Sequence, residues 1–196
     1  VKLSVNISKF KKSVQSDRLR LAVVPFRAAD SVKVNQTVSK FEGAITAQLE
    51  NYLTQTRRFA IIDRSFLDEQ TKELDLIASG SRTSMSVDEI VKLGNRLGTD
   101  YLVVGRIEKA NSVISEKKSK VSDTVKKYLT STARITLRLI DVATTQIKFA
   151  DTYETKAGVS IEKLADKLAI EIGKIVLGSV YPIRIVNASS SQVVLG

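Results

Sequence analysis

Neither cysteine nor histidine occurs in this chain of 196 residues. Without them there is no thiolate nucleophile and no Ser-His-Asp triad. The usual Cys/His zinc site is also excluded, and no disulfide holds the fold. The lack of Cys fits a cytosolic chain and equally a periplasmic one that avoids stray oxidation. Aromatic residues are only 6% of the chain, and Trp is absent. No apolar run approaches the roughly 20 residues that a membrane-spanning helix needs. A start at Val1 instead of Met implies a processed or trimmed chain, which would have lost any signal peptide.

Hydrophobic residues make up 43%, enough for a real core, and charged residues 27%, an ordinary wetted surface. The length fits one domain with at most a small appendage. Net charge is +10 and the pI about 9.8. Such a charge permits nucleic acid, anionic lipid or an acidic polymer as partner without choosing among them.

Residues 2–10 alternate Leu3, Val5 and Ile7 against polar neighbours and predict a half-buried strand. A more apolar strand follows over 19–26 and ends at Pro25, which lacks the ladder N–H. A long helix is expected over 36–54, with Val38, Phe41, Ile45, Leu49 and Leu53 on one stripe. Residues 58–62 read as a short strand, 66–78 as a helix behind Ser65, and 79–86 as a loop. Ser86 and Glu89 form a capping box for a helix over 87–97, which Gly98 stops. Strands are expected over 100–107 and 132–142, the second with Ala133, Ile135, Leu137 and Leu139 inward. A turn at 143–146 leads to 147–155, completing a hairpin. A final helix over 160–177 carries Ile161, Leu164, Leu168, Ile172 and Ile175. Residues 180–187 and 191–195 predict a terminal strand pair. Helices and strands mixed in this order imply an α/β fold, a mixed sheet with helices packed on it in two or three layers. The expected division is a domain over 1–178 and a strand pair over 179–196 that opens a further segment.

The run 108–131 interrupts two good strands. It carries Lys109, Lys117, Lys118, Lys120, Lys126 and Lys127 against Glu108, Glu116 and Asp123. One reading is a long solvated hairpin or loop. The other is a docking element for an acidic partner or an anionic membrane surface, with Lys117, Lys118, Lys120, Lys126 and Lys127 as its contacts.

Candidate chemistry is thin. Gly94, Gly98 and Gly105 do not form G-x-G-x-x-G after a strand, so they read as close packing and a helix stop, not a phosphate cradle. Asp63, Asp68 and Glu69 lie near one another, but Asp63 is accounted for as a helix-start carboxylate. Asp141 reads as a turn residue. Phe10 and Tyr128 flank lysines, yet there is no RNP-like motif, so nucleic acid is not expected as a partner. No catalytic residue, metal ligand or cofactor site is expected, and the chain reads as no enzyme.

Several stretches carry a family pattern. Leu21-Ala22-Val23-Val24-Pro25-Phe26 resembles the strand that opens domains of the CsgG family. Phe59-Ala60-Ile61-Ile62-Asp63-Arg64-Ser65 resembles that family's next strand and its D/E-R turn. Residues 93–105, from Leu93-Gly94 through Leu97-Gly98 and Asp100-Tyr101-Leu102-Val103 to Gly105, resemble its L-G-x-x-L-G-A-D-Y-L-V-x-G signature. Leu139-Ile140-Asp141-Val142 resembles its L-I/V-D-V strand end, with Thr145 where the family usually has Gly. Similar sequences occur in the amino-terminal domain of TolB and in lipoprotein activators of penicillin-binding proteins.

The resemblance covers about residues 19–178 and implies an anticodon-binding-like α/β sandwich with no cofactor and no catalytic residue. Pro25, Asp63, Arg64, Gly94, Gly98, Gly105 and Asp141 are then structural motif positions. It further implies a periplasmic protein tethered to the outer membrane. Its expected partners are other envelope proteins and copies of itself. CsgG inserts β-hairpins into the membrane as a ring. Here 108–131 is Lys-rich without the alternation that a barrel strand of about nine to eleven residues shows. The position near 156–160 is too short. The expectation is an accessory or scaffold module without a pore. A channel subunit and a nucleic-acid-binding domain are the alternatives.

Overall fold

The computed structural model describes residues 18–62, 87–118, 125–182, 185–188 and 193–195. The strand expected over 2–10, the helix over 66–78, the loop over 79–86 and Ser86 of the capping box lie outside the described residues. So do Asp63, Arg64 and Lys120.

The first described strand, β1 (Leu19–Val23), stops short of Pro25, and the chain resumes its pairing in β2 (Arg27–Ala28). The break leaves amides to satisfy, and helix α1 (Gln36–Thr56) supplies the acceptors. The Phe26 N–H donates to Thr46 Oγ1 at 3.1 Å, and the Ala28 N–H donates to Glu42 Oε1 at 2.7 Å. Asn35 caps α1 by accepting from the Val38 N–H at 3.0 Å. All five residues of the predicted stripe, from Val38 to Leu53, are buried. Each such aliphatic or aromatic side chain contributes about 1.5–3 kcal/mol when withdrawn from water.

Strand β3 (Phe59–Ile61) pairs with β1 in parallel. Helix α2 (Val87–Leu97) ends at Gly98 with φ +62, the left-handed stop expected there. Then come β4 (Tyr101–Lys118), β5 (Val125–Asp141) and β6 (Ile147–Ala157), all antiparallel neighbours. Helix α3 (Ile161–Val180) starts at Ser160, whose hydroxyl accepts from the Lys163 N–H. Its buried stripe drifts near the end, where Val176 is buried and Ile175 is not fully so. Strands β7 (Ile185–Ala188) and β8 (Val193–Leu195) form a separate antiparallel pair.

The main sheet runs β3-β1-β4-β5-β6, with β2 also on β4. It is mixed, since β1 is parallel to β3 and β4 while β4, β5 and β6 alternate. Helices α1 and α3 cover one face, burying Val103, Ile107, Ala133, Ile135, Leu137 and Leu139. On the other face α2 covers only one end, setting Ile90, Val91 and Leu93 against Ala22, Val24, Leu102, Ile140 and Val142. This is the mixed α/β architecture that the order of elements implied.

Small residues set the closest approaches. A Cβ on Gly94 would lie 2.6 Å from Val142 and 2.8 Å from Leu102, so α2 sits tight against the sheet. A Cβ on Gly105 would collide with three carbons of the Phe26 ring, and one on Gly173 with the Tyr52 ring between α1 and α3.

One expectation is corrected. The strands expected over 100–107 and 132–142 are both longer, and as far as it is described the run 108–131 is the long solvated hairpin of the first reading. The ladder of β4 and β5 continues from Ile107/Ile135 out to Lys118/Val125, shifted by a bulge at Glu108. Alternation is missing beyond Ala110 and Ser131 because neither face is buried there, and residues 111–117 and 125–128 are all exposed. Backbone pairing holds the strands together where core burial cannot.

Candidate functional site

Two surfaces remain once the core is accounted for. The first is the outer part of the β4–β5 hairpin. Strand β6 ends its pairing at Ala157 opposite Ser131, and β2 ends at Ala28 opposite Ile107. Beyond Ser112/Ser131 the two strands pair, among the described residues, only with each other, over six further residue pairs, or about 20 Å at the usual strand rise. Ser131 marks the root. It is fully buried, shares a 2.7 Å hydrogen bond with Ser112 and donates to the Val159 carbonyl at 2.7 Å. Val113, Ile114, Val125 and Tyr128 are exposed on the ribbon, Ile114 at 65%. The register puts Ile114 and Leu129 on the face that continues toward α3, and Val113 and Tyr128 on the other. Of the expected docking lysines, Lys117 faces Lys126 across the ladder, Lys118 pairs with Val125, and Lys127 bridges Glu116 at 3.3 Å.

The second surface was not legible in the sequence. It is the part of the sheet face that α2 leaves open. Register carries Arg27, Arg106, Lys109, Arg134, Arg138 and Lys156 onto this one face, all exposed. Arg106 lies beside Arg27, and Lys109 beside Arg134. Among the described residues the carboxylates there are Glu108 and Glu154. Glu108 lies 3.6 Å from Arg106 and accepts a long, 3.5 Å hydrogen bond from the Thr136 hydroxyl. Among the described residues the other five cations have no ion pair. Between them lies a wide, open depression of about 500 Å³ lined by Glu108, Lys109, Arg134, Thr136 and Glu154. Half of the signal for this face was in β5, where Arg134 and Arg138 alternate with the buried Ile135 and Leu137. Joining them to Lys109 needed the bulge, which shifts the face of every later β4 residue by one.

The motif positions serve the frame of the sheet. Pro25 is buried at the break between β1 and β2. Asp141 ends β5, accepts from the Thr144 N–H at 3.0 Å and pairs with Lys148 at 3.5 Å. Burial opposes its ionisation, but the Thr144 hydrogen bonds and the Lys148 charge prevail and hold it below the usual carboxylate range. Burial pushes the phenols of Tyr101, Tyr153 and Tyr181 up, with nearby aspartates adding to it. Tyr181 stays a proton donor, to the Arg58 carbonyl at 3.2 Å. None of these groups lies on the ribbon or the open face. Among the described residues no cluster of three or more acidic groups is placed to hold a metal ion. No described helix is long and apolar enough to cross a membrane.

The family model described as curli production assembly/transport component CsgG matches residues 6–178. A comparison with curated proteins gave no match. Among solved structures, the chain resembles the hypothetical protein CT253 from Chlamydia trachomatis at a TM-score of 0.51 and 10% identity, covering 84% of this chain and 98% of that one. The lipoprotein GNA1162 from Neisseria meningitidis gives 0.49 at 13% identity, over 82% and 99% of the two chains. A PelC dodecamer from Paraburkholderia phytofirmans gives 0.47 at 12%, over 88% and 95%. At these identities the likeness concerns the fold alone.

Proposed function

The chain belongs to the CsgG family, and from that membership we propose that it works as a non-catalytic accessory or scaffold module of a cell-envelope assembly or secretion system. It acts in the periplasm by contact with other envelope proteins, and is held at the outer membrane in its full-length form.

One observation carries the reading. The β4–β5 ribbon leaves the three-stranded part of the sheet with both outer edges unpaired among the described residues and aliphatic side chains on both faces. A two-stranded ribbon alone is marginal in water, and unpaired edges invite another chain. A partner that covers Val113, Ile114 and Tyr128 resolves both problems at once.

A second reading, a subunit of a CsgG-type outer-membrane channel, is favoured by the same free edges. Against it stand Lys117 and Lys126 on one face of the ribbon and Lys127 on the other, so neither face offers a clean apolar band to lipid.

Two measurements test this. The first is sedimentation of the purified chain with and without detergent micelles. A monomer or small oligomer indifferent to detergent is expected, and a large ring that forms only with detergent hands the lead to the channel. The second replaces Tyr128 with a photo-reactive residue in cells that make the protein. Adducts with envelope proteins are expected from Tyr128 and not from Lys167 on the outer side of α3. Their absence, or adducts with nucleic acid alone, ends the reading.

A further inference from the structure

The charge of this protein is unevenly placed. On the solvent side of α3, Lys163, Lys167 and Lys174 stand among Glu162, Asp166 and Glu171, three of each sign. That is the interspersed pattern of a surface that only needs to be soluble. Among the described residues the open sheet face instead sets six cations against two carboxylates, and five of those cations have no ion pair. Like charges held on neighbouring strands, about 5 Å apart, repel one another.

We propose that this open face, centred on Lys109, Arg134 and Arg138, docks an acidic, carboxylate-bearing surface of a partner protein. The inference rests on the protein-contact reading above and names the chemistry of the contact. Charge complementarity is the first argument. Arginine's planar fork grips a carboxylate through two parallel hydrogen bonds, and four of the six cations are arginines, Arg27, Arg106, Arg134 and Arg138. Shape is the second. The face is a broad, shallow sheet surface and not a slot, which suits a folded surface better than a single threaded chain. Side-chain chemistry is the third. Nucleic-acid strands are held on sheets by stacked aromatics, and the part of this face between Arg138 and Thr132 has none. Its uncharged places are filled by Thr132, Thr136 and Thr152, whose hydroxyls serve as adaptable hydrogen-bond partners. Continuity is the fourth. Thr130, Tyr128 and Lys126 of the ribbon continue this same face, so one partner can cover both. Glu108 and Glu154 set the register, because a partner carboxylate is accepted between Lys109 and Arg134 and repelled at either margin.

The test uses the full chain and a fluorescein-labelled deca-glutamate peptide read by anisotropy, with salt raised from about 50 to 200 mM. Two charge-matched double variants are compared, Arg134→Glu with Arg138→Glu and Lys167→Glu with Lys174→Glu. Each lowers the net charge from +10 by four, to +6. All four side chains are exposed, so both variants are expected to fold. Arg134→Gln with Arg138→Gln is the milder substitute. The open-face variant is expected to weaken peptide binding about tenfold or more, and the helix variant to change it little. Equal losses from both variants would mean bulk charge alone and overturn the proposal. So would tighter binding, charge for charge, of polygalacturonate or of an oligothymidylate, which would assign the face to an acidic glycan or to nucleic acid. If the peptide result fails while the Tyr128 adducts persist, the open face is excluded and the ribbon reading stands. If the adducts fail while the peptide result holds, the reverse is true.

Discussion

Placing a methyl group on Gly105 is the sharpest test of how the sheet is built. Gly105 lies in β4 opposite Leu137, and Phe26 lies across it with 1% of its surface exposed. A Cβ at this position would fall inside van der Waals contact with three ring carbons, where carbon atoms normally stand about 3.5–4.0 Å apart. The ring has little room to withdraw, because the Phe26 amide is bonded to Thr46 of α1 and the next residues form β2. Overpacking a well-filled core costs about 1–3 kcal/mol, and here a buried ring and a central strand must both give way. The upper part of that range applies. Loss of glycine's freedom in the unfolded chain returns about 0.5 kcal/mol. Gly105→Ala is therefore expected to destabilise by about 1.5–2.5 kcal/mol, lowering Tm by roughly 3–10 °C at this chain length. Urea unfolding followed by circular dichroism reads the change through the midpoint, with the slope unaltered. Phe26→Leu in the same background should recover part of the loss. The double variant should be at least about 1 kcal/mol more stable than the summed single effects. A single cost below about 0.5 kcal/mol, or strict additivity with Phe26→Leu, would refute the packing argument.

Two further outcomes follow from the β5–β6 turn. Asp141 has its carboxyl held low in the folded protein, so its contribution is complete above the unfolded value near 3.9 and is lost as pH falls through the folded one. Asp141→Asn should be less stable than the parent chain at pH 7, and the gap should close below about pH 4, as read from urea midpoints at pH 7 and pH 3. Thr145 sits at φ 58, a left-handed position that costs a β-branched residue about 1–2 kcal/mol. Thr145→Gly should gain about 0.5–1 kcal/mol after glycine's own entropic cost, seen as a rise in Tm, and a fall would contradict the strain.

What could be read from the sequence was whatever the core imprints on it. The α1 stripe and the β5 alternation were visible because one side of each element is withdrawn from water, and all nine of those residues are buried. Gly98 was visible because a left-handed helix end excludes most side chains. The outer hairpin was obscure for the opposite reason. With neither face buried, nothing forces the period-2 pattern, and the Lys residues mask the strand. Val113, Ile114, Val125, Tyr128 and Thr130 hinted at it through their β preference. The open face was hidden for a third reason. It is assembled from four strands, and its composition depends on a register shift at Glu108 that no local pattern announces. The lysines singled out from the sequence were chosen by clustering along the chain. The arginines that matter most to the open face are clustered only in space.

The strand order also bears on how the chain comes together. Strands β4, β5 and β6 are consecutive, and each closes on its predecessor through a short connection or a hairpin. Strand β1 closes differently, since Leu19 meets Phe59 some 40 positions on, and Leu21 meets Tyr101 some 80 positions on. Closing a longer loop costs more entropy, by about 0.6 kcal/mol for each doubling, and distant contacts form more slowly than local ones. The local pairings of β4, β5 and β6 are therefore expected to form before those of β1, although they are made later in synthesis. Of the described strands β1 is made first, yet its slot between β3 and β4 is complete only once both have been made. A chain delivered amino terminus first across a membrane would hold β1 without its β4 partner until residues 101–103 had followed it through.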